Sequence, residues 1–268
     1  MNIMRYAWTC SNLRPIGSLN LNSYILKLCL LTILFCIPQL LFAGPPFLTD
    51  DPNPTDYKHV ELYPAMILNR INSNYSINIP SLEVDYGLVP NVEIDITVTG
   101  TANLPCHAQD PRQYGLGDTQ LGSVFRFIKE TEHMPEISFS PSITLPTGDE
   151  NRGLGNGRPS KTLPFWAEKS WGSWTLDTGG GYTLNSAPTM LNYFFGGVLI
   201  QREINKKITL GGEIFSQGSV AQDEKATTIV NFGGSYSFTD TFNLLFSAGH
   251  SIIGANNLVS YIGFEWDS

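Results

Sequence analysis

Apolar and polar side chains alternate along most of this chain. Val92, Ile94 and Ile96 alternate with Glu93 and Asp95, which is the period of two that gives a strand one apolar face and one polar face. Twelve segments show this pattern, and they begin near Lys58, Tyr75, Val92, Thr119, Glu136, Lys161, Ser173, Tyr193, Lys207, Thr227, Phe242 and Leu258. The pattern predicts an all-β protein of about twelve antiparallel strands.

The connections between these segments alternate in length. Short ones lie at 88–91, 130–134, 171–172, 205–206 and 239–240; longer ones lie at 100–117, 146–160, 185–192, 217–226 and 249–257, and one short one at 70–74. Transmembrane β-barrels have short periplasmic turns, long outer loops and an even number of strands. Because hydrocarbon does not tolerate an open sheet edge, such strands close on themselves. We therefore expect residues 57–268 to form an antiparallel, up-and-down transmembrane β-barrel with both ends in the periplasm.

Aromatic residues gather near the short turns. They are Tyr86, Phe127, Trp171, Trp174, Phe238, Phe242 and Trp266. A girdle of aromatic side chains at the lipid interface is typical of membrane barrels. Strand ends of other β-proteins also carry aromatic residues, so this alternative stays open at the level of the sequence.

The second segment contains a break in its alternation. Its apolar positions shift from Ile77 and Ile79 to Leu82 and Val84 across Pro80. A change of phase inside a strand indicates a β-bulge, and a bulge is a place where a strand accepts proline. We expect a bulge at Pro80.

Residues 1–43 have the order of a secretory signal peptide. Lys27 precedes an apolar run from Leu28 that reaches the small residue Ala43. An uncleaved membrane anchor is the alternative. After residue 43 no run of about 20 apolar residues exists, which excludes a bundle of transmembrane helices. Only Cys106 of the four cysteines lies beyond the leader, which excludes an internal disulfide and a cysteine-rich metal site.

The chain is poor in charge and acidic. Charged residues make up 15% of it and the net charge is −8; of the 16 basic residues three lie in the leader, which leaves 13 against 24 acidic ones. An acidic chain without a basic stripe is not expected to bind nucleic acid. If the apolar positions face lipid, the lumen receives polar candidates, namely Glu61, Glu93, Asp95, Arg126 and Glu213. Their excess of carboxylates predicts a preference for cations, unless they pair with Arg or Lys across strands and only hold the interior together.

Residues 44–56 precede the first strand and are rich in proline and aspartate. Four prolines exclude a helix or a central strand here. We expect a lead-in segment that lines or plugs the lumen, with Phe47, Thr49, Asp50 and Asp51 as its candidate residues. A plain flexible terminus is the alternative.

Three stretches resemble a known family. The start of the mature chain, Ala43-Gly44-Pro45-Pro46-Phe47-Leu48-Thr49-Asp50-Asp51-Pro52, and two internal stretches are similar to bacterial outer-membrane barrels grouped as the putative MetA-pathway of phenol degradation family. The internal stretches are Leu116-Gly117-Asp118-Thr119-Gln120-Leu121-Gly122 and Leu145-Pro146-Thr147-Gly148-Asp149 with Gly153-Leu154-Gly155-Asn156-Gly157. The resemblance implies an outer-membrane transporter or channel for aromatic or other small organic compounds.

Other functions find less support in the residues. Residues 148–159 share glycines with a phosphate loop and acidic residues with a calcium loop, but they lack the flanking βαβ unit and the distal glutamate, so a folded outer loop is the better interpretation. A barrel phospholipase needs paired His and Ser, and the pattern around His250 does not provide them. We expect no catalysis, metal or cofactor, and we expect outer-membrane lipid, the barrel assembly machinery and a small solute as partners. A structural or adhesive barrel acting through its outer loops is the alternative function.

Overall fold

The computed structural model describes residues 45–71, 74–104, 112–222 and 224–268. The predicted signal peptide, residues 1–43, lies outside the described residues. Within them, no helix is long and apolar enough to cross a membrane. The single helical turn in the described part is a 3₁₀ turn at Glu150–Arg152.

The described chain is built from fourteen strand segments. They are β1 (Val60–Ile71), β2 (Asn74–Val89), β3 (Val92–Leu104), β4 (Gln113–Leu116), β5 (Thr119–Ile128), β6 (Glu136–Phe139), β7 (Ser142–Leu145), β8 (Ser160–Trp171), β9 (Trp174–Asn185), β10 (Tyr193–Asn205), β11 (Ile208–Gln217), β12 (Thr227–Thr239), β13 (Phe242–Ile253) and β14 (Asn257–Asp267). Both β4 and β5 pair with β3, and both β6 and β7 pair with β5 and β8, so each of these two couples is one barrel strand interrupted at its middle. The prediction of twelve antiparallel strands is confirmed.

The sheet closes on itself through its first and last strands. β1 and β14 run antiparallel, and their register extends from Glu61 opposite Asp267 to Ile71 opposite Asn257. The sheet therefore has no open edge at this seam, as a hydrocarbon surrounding requires. The predicted up-and-down barrel is the observed architecture.

The two faces of the strands differ as the alternation predicts. On β3, Ile94 and Ile96 are 43% and 39% exposed on the outer surface, whereas the intervening Asp95 and the preceding Glu93 face the lumen. The aromatic residues predicted for the girdle are all exposed near the short turns, among them Trp171, which is 55% exposed. An apolar outer surface with an aromatic rim is suited to lipid.

The predicted bulge in β2 is present. Ala65 of β1 lies opposite Ser81, whereas Ile67 lies opposite Asn78, so the register shifts by one residue across Ile79 and Pro80. Because of this shift, Asn78 and Ser81 both face the lumen although they are three positions apart.

Two outer loops are shorter than predicted. β13 continues to Ile253, so the connection predicted at 249–257 is a turn of residues 254–256, and the strand segments β3 and β4 extend into the region predicted as the loop 100–117. The sequence suggested loops because small and polar residues interrupt the alternation there, Gly100, Thr101 and Asn103 in β3 and Gly249, His250 and Ser251 in β13. In the structure Thr101 and Asn103 belong to the strand ladder, where polar side chains can face the lumen.

Candidate functional site

The lead-in segment (residues 45–56) lies inside the barrel. The backbone N–H groups of Leu48 and Thr49 both donate to the carboxylate of Glu213 on β11, over 3.1 Å for Leu48. Asn231 of β12 donates its side-chain amide to the same carboxylate over 3.1 Å. Ser247 of β13 donates to the carbonyl of Pro46, which is in the same part of the segment. One end of the lead-in segment is therefore attached to the wall formed by β11–β13.

The other end of the lead-in segment is attached to the opposite wall. The N–H of Thr55 donates to Glu93 of β3 over 2.6 Å, and the side-chain amide of Asn53 donates to Glu168 of β8 over 3.3 Å. β3 and β11 are six strands apart in a ring of twelve, which places them on opposite sides. The segment therefore crosses the lumen, and the four prolines explain why it does so without joining the sheet.

Apolar side chains also hold this segment. Phe47 and Leu48 are 3% and 2% exposed. Leu48 packs in a cluster with Trp166, Phe215, Ile229 and Val259 on the lumen wall. Burying a side chain of this size stabilises the docked segment by roughly 2 kcal/mol. A flexible terminus would make neither these contacts nor the hydrogen bonds to Glu213.

A cavity of about 360 Å³ remains beside the lead-in segment. Its wall contains nine carboxylates, which are Asp50, Asp51, Glu61, Glu83, Asp85, Glu93, Asp95, Glu168 and Glu265. Among the described residues that line it, none is Lys, Arg or His. The cavity wall is therefore acidic, and its low-dielectric surroundings strengthen the field of each ionised carboxylate.

The lumen residues predicted from the sequence fall in three places, namely the cavity wall, the point where the lead-in segment is attached and an ion pair. Glu61, Glu93 and Asp95 line the cavity, as do Asp50 and Asp51 of the lead-in segment.

Glu213 lies at the point where the lead-in segment is attached, together with the buried Phe47 and Thr49. Arg126 forms an ion pair with Glu136 over 3.1 Å. It therefore fits the alternative prediction, in which charged lumen residues pair across strands.

Pairing with basic residues does not account for the predicted carboxylates. The ion pairs within the described ranges join Arg126 to Glu136, Lys169 to Glu130 and His59 to Asp267. Hydrogen bonds from Lys169 and from the Ser170 backbone lower the pKa of Glu130 in the turn between β5 and β6. Glu61, Glu93, Glu168 and Glu265 accept instead from the Tyr63 hydroxyl, the Thr55 N–H and the amides of Asn53 and Asn243.

Sequence reasoning missed several lumen residues. Glu83 and Asp85 could have been found, because they alternate with Leu82 and Val84 after the bulge in the same way that Glu93 and Asp95 alternate in β3. Trp166 and Phe215 are harder to find. Each follows an apolar residue that faces outward, so no alternation marks which of the two points inward.

Aromatic side chains form part of the same cavity wall. Trp166 on β8, Tyr193 and Phe195 on β10 and Phe215 on β11 line it. Phe195 is at their centre, with ring centroids 6.2 Å from Trp166, 6.4 Å from Tyr193 and 6.1 Å from Phe215. The lumen thus combines an aromatic part with an acidic part.

The outer loop 146–159 folds over the mouth through Asp118. This buried carboxylate accepts the N–H of Gly148 over 2.9 Å and that of Asn156 over 2.8 Å. A Cβ at Gly155 would collide with the Asp118 carboxylate, and one at Gly148 would collide with the Leu154 carbonyl. The two internal glycine-rich motifs are therefore a loop and its anchor, and Asp118 is a residue whose role the sequence did not reveal.

Below this loop lies a second, smaller cavity of about 70 Å³. Its wall is polar and nearly uncharged, with hydroxyl and amide side chains such as Thr97, Thr99 and Asn185. Gln120 and Tyr193 belong to the walls of both cavities. The two cavities therefore follow one another from the mouth toward the acidic part of the lumen.

The surroundings of His250 do not form a hydrolytic site. Its two ring nitrogens lie 2.7 Å from the Ser251 carbonyl and 3.0 Å from Asn256 Oδ1, while the Ser251 hydroxyl donates to the Ala255 carbonyl. A nucleophilic serine would have to hydrogen-bond the imidazole itself. Among the described residues there is also no cluster of His, Cys, Asp and Glu that could hold a metal ion.

Comparisons with known proteins place this geometry among membrane barrels. A family model described as "Putative MetA-pathway of phenol degradation" matches residues 81–264. The COG4313 outer membrane channel from Pseudomonas putida F1 superposes with a TM-score of 0.64 at 15% identity, covering 81% of this chain and 99% of that one. A KdgM porin, solved in complex with disordered oligogalacturonate, gives 0.54 at 8% identity, covering 77% and 98%. The NanC porin gives 0.51 at 10% identity, covering 76% and 98%. A search of curated proteins finds no match.

Proposed function

This chain belongs to the family described as "Putative MetA-pathway of phenol degradation", and we propose that it is an outer-membrane channel of a Gram-negative bacterium that passes small molecules by passive diffusion. The similar structures are themselves named as an outer membrane channel and as porins, which supports this proposal. The observation that carries it is the polar cavity of about 360 Å³ inside a closed barrel. A barrel that served only as a wall or an adhesin would not need such a cavity.

The channel is narrow. Eight strands leave a barrel interior that side chains nearly fill, whereas sixteen to eighteen enclose a broad aqueous channel. With twelve strands and a segment across the lumen, this barrel encloses a pore of intermediate width. We infer that solutes pass one at a time along the cavity beside the lead-in segment.

The charge of the cavity favours cations. Nine carboxylates and no basic residue line it within the described part of the chain. A ring of one sign of charge attracts counter-ions into a pore and repels ions of the same sign. The channel therefore passes K⁺ more readily than Cl⁻.

Current recordings in planar lipid bilayers test both the channel function and its preference for cations. Protein purified from the outer membrane is incorporated under a KCl gradient, and the reversal potential reports the preference. We expect discrete conductance steps and a reversal potential of the sign set by K⁺. Replacing Glu83 and Asp85 together by Gln and Asn should shift it toward zero, whereas Asp240→Asn in an exposed turn should not. An anion preference refutes the charge argument.

Absence of conductance, combined with no swelling of protein-containing liposomes in small solutes, would refute the channel itself. The alternative of a structural or adhesive barrel would then gain support. We further propose that residues 1–43 are removed as a signal peptide and that the barrel assembly machinery inserts the mature chain. Catalysis and nucleic-acid binding form no part of the proposed function.

A further inference from the structure

The cavity beside the lead-in segment has two chemically different walls. β2 and β3 carry acidic side chains, including Glu83, Asp85 and Asp95, and β10 and β11 carry Phe195 and Phe215. β2 is six strands from β10, and β3 is six strands from β11, in a ring of twelve. The acidic wall and the aromatic wall therefore belong to opposite sides of the barrel and line one cavity.

The aromatic wall is itself suited to a cation. Phe195 lies among three other rings at centroid distances of 6.1–6.4 Å, and the four rings line the cavity. The face of an aromatic ring attracts a cation within about 6 Å of its centroid, and it also packs against another ring or an apolar group. A solute that offers both a positive charge and an apolar group can use both walls at once.

Three buried polar groups in the cavity wall have no hydrogen-bond partner in the described structure, and they are Thr55 Oγ1, Asp85 Oδ1 and Trp166 Nε1. Asp85 is 7% exposed, and its Oδ1 accepts no hydrogen bond among the described residues. Trp166 is 1% exposed, and its Nε1–H likewise finds no acceptor there. Buried polar groups normally have a partner. The free carboxylate oxygen on the acidic wall is a place for the N–H donors of an ammonium group.

We propose that the preferred solutes are small organic cations in which a short alkyl linker joins one ammonium group to an aromatic ring. The ammonium group would lie against Asp85 and its acidic neighbours, and the ring against Phe195 and Phe215. The cavity of about 360 Å³ falls in the range of roughly 300–1,000 Å³ that small-molecule sites occupy. This inference rests on the proposed channel function and names the class of its solute.

Three probes separate the contributions of charge and ring. Benzylammonium carries both groups, ethylammonium carries only the charge, and benzoate carries the ring with the opposite charge. Each is added to single channels in planar bilayers under KCl, and the duration of current block and the permeability relative to K⁺ are measured. We expect benzylammonium to stay about fivefold longer than ethylammonium, and benzoate to give no block.

Variants assign the effect to the two walls. Phe195→Leu should reduce the advantage of benzylammonium over ethylammonium by about two- to fivefold. Asp85→Asn should weaken the block by both cations and leave their ratio unchanged. Phe232→Leu, on the lipid-facing surface at 66% exposure, is the matched control and should change neither. Phe215→Leu repeats the test on the neighbouring strand if Phe195→Leu fails to insert as a folded barrel.

The outcomes distinguish this inference from the channel function. If K⁺ passes but benzylammonium and ethylammonium block equally, or benzoate blocks as well as benzylammonium, the solute class is wrong and the channel stands. If Phe232→Leu reduces the advantage of benzylammonium over ethylammonium as much as Phe195→Leu does, the aromatic ring of the solute acts from the lipid and not from the cavity. The inference is then also wrong. If no K⁺ current is found at all, the channel function fails, and the solute class fails with it.

Discussion

Replacing Glu213 by Gln should loosen the lead-in segment from the lumen wall. The Glu213 carboxylate is almost fully buried and accepts the N–H groups of Leu48 and Thr49 as well as the side-chain amide of Asn231. Glutamine has the same shape, but it replaces one acceptor oxygen by an NH₂ group. At least one N–H donor would then face another donor.

The size of the effect follows from these contacts. A hydrogen bond to a charged group contributes about 1.5–3 kcal/mol, and each 1.4 kcal/mol changes an equilibrium tenfold. Loss of one such bond should therefore shift the ratio of docked to released segment by about 10- to 100-fold. The burial of Leu48 and the bond from Thr55 to Glu93 remain, so the docked form should stay in equilibrium with the released one.

Single-channel recording and limited proteolysis measure this shift. The variant should switch between the wild-type conductance and a larger one, and its N-terminal segment should be cut faster by a protease added to the periplasmic side. Deleting residues 45–54 should fix the larger conductance. Glu203→Gln, in an exposed position on β10, is the charge-matched control and should behave as wild type.

The same experiment can refute the reasoning. If the deletion leaves the conductance unchanged, the lead-in segment does not obstruct the lumen, and a plain terminus is the better description of its function. If the deletion enlarges the conductance but Glu213→Gln does not switch, the segment obstructs the lumen and the Glu213 contacts are not what holds it.

Two further variants test the loop and the outer surface. Asp118→Ala should free the loop that its carboxylate holds, cost about 2–4 kcal/mol of stability and create a new site of limited proteolysis in that loop; an unchanged digestion pattern would contradict the anchor. Phe232→Arg should destabilise the barrel in lipid vesicles by about 2–4 kcal/mol in urea unfolding, because this side chain faces lipid, whereas Gln217→Arg on the lumen side should cost much less. Equal costs at the two positions would contradict the assignment of faces.

The strands and the bulge could be predicted because they depend on local pattern. The alternation in β3 specifies which side chains share a face, and the change of phase across Pro80 marks the inserted residue without knowledge of the partner strand. The strand ends near Leu104 and Ile253 were missed for a related reason. Small and polar residues, such as Thr101 in β3 and Gly249 and Ser251 in β13, interrupt the alternation before the hydrogen-bonded ladder ends.

The position of the lead-in segment could not be predicted from the same kind of pattern. Leu48 and Glu213 are 165 positions apart, and their contact depends on closure of the whole barrel. The prolines exclude regular structure locally, but they do not specify which wall receives the segment. The contact between Asp118 and its loop could not be predicted locally either, because its partner Asn156 is 38 positions away.

The sequence does contain a weaker signal for the position of the lead-in segment, and it lies in the strands that this segment covers. Four adjacent apolar pairs interrupt strands that otherwise alternate. They are Phe165 and Trp166, Ile214 and Phe215, Ile229 and Val230, and Leu258 and Val259. One member of each pair faces outward, and the other joins the lumen cluster around Leu48. An open aqueous lumen would leave those inner members facing water, which is unfavourable by about 25 cal/mol for each Å² of apolar surface. Broken alternation on neighbouring strands of a narrow barrel therefore indicates that something apolar covers that part of the lumen, and in this chain the apolar residues that precede the first strand, Phe47 and Leu48, are available to do so.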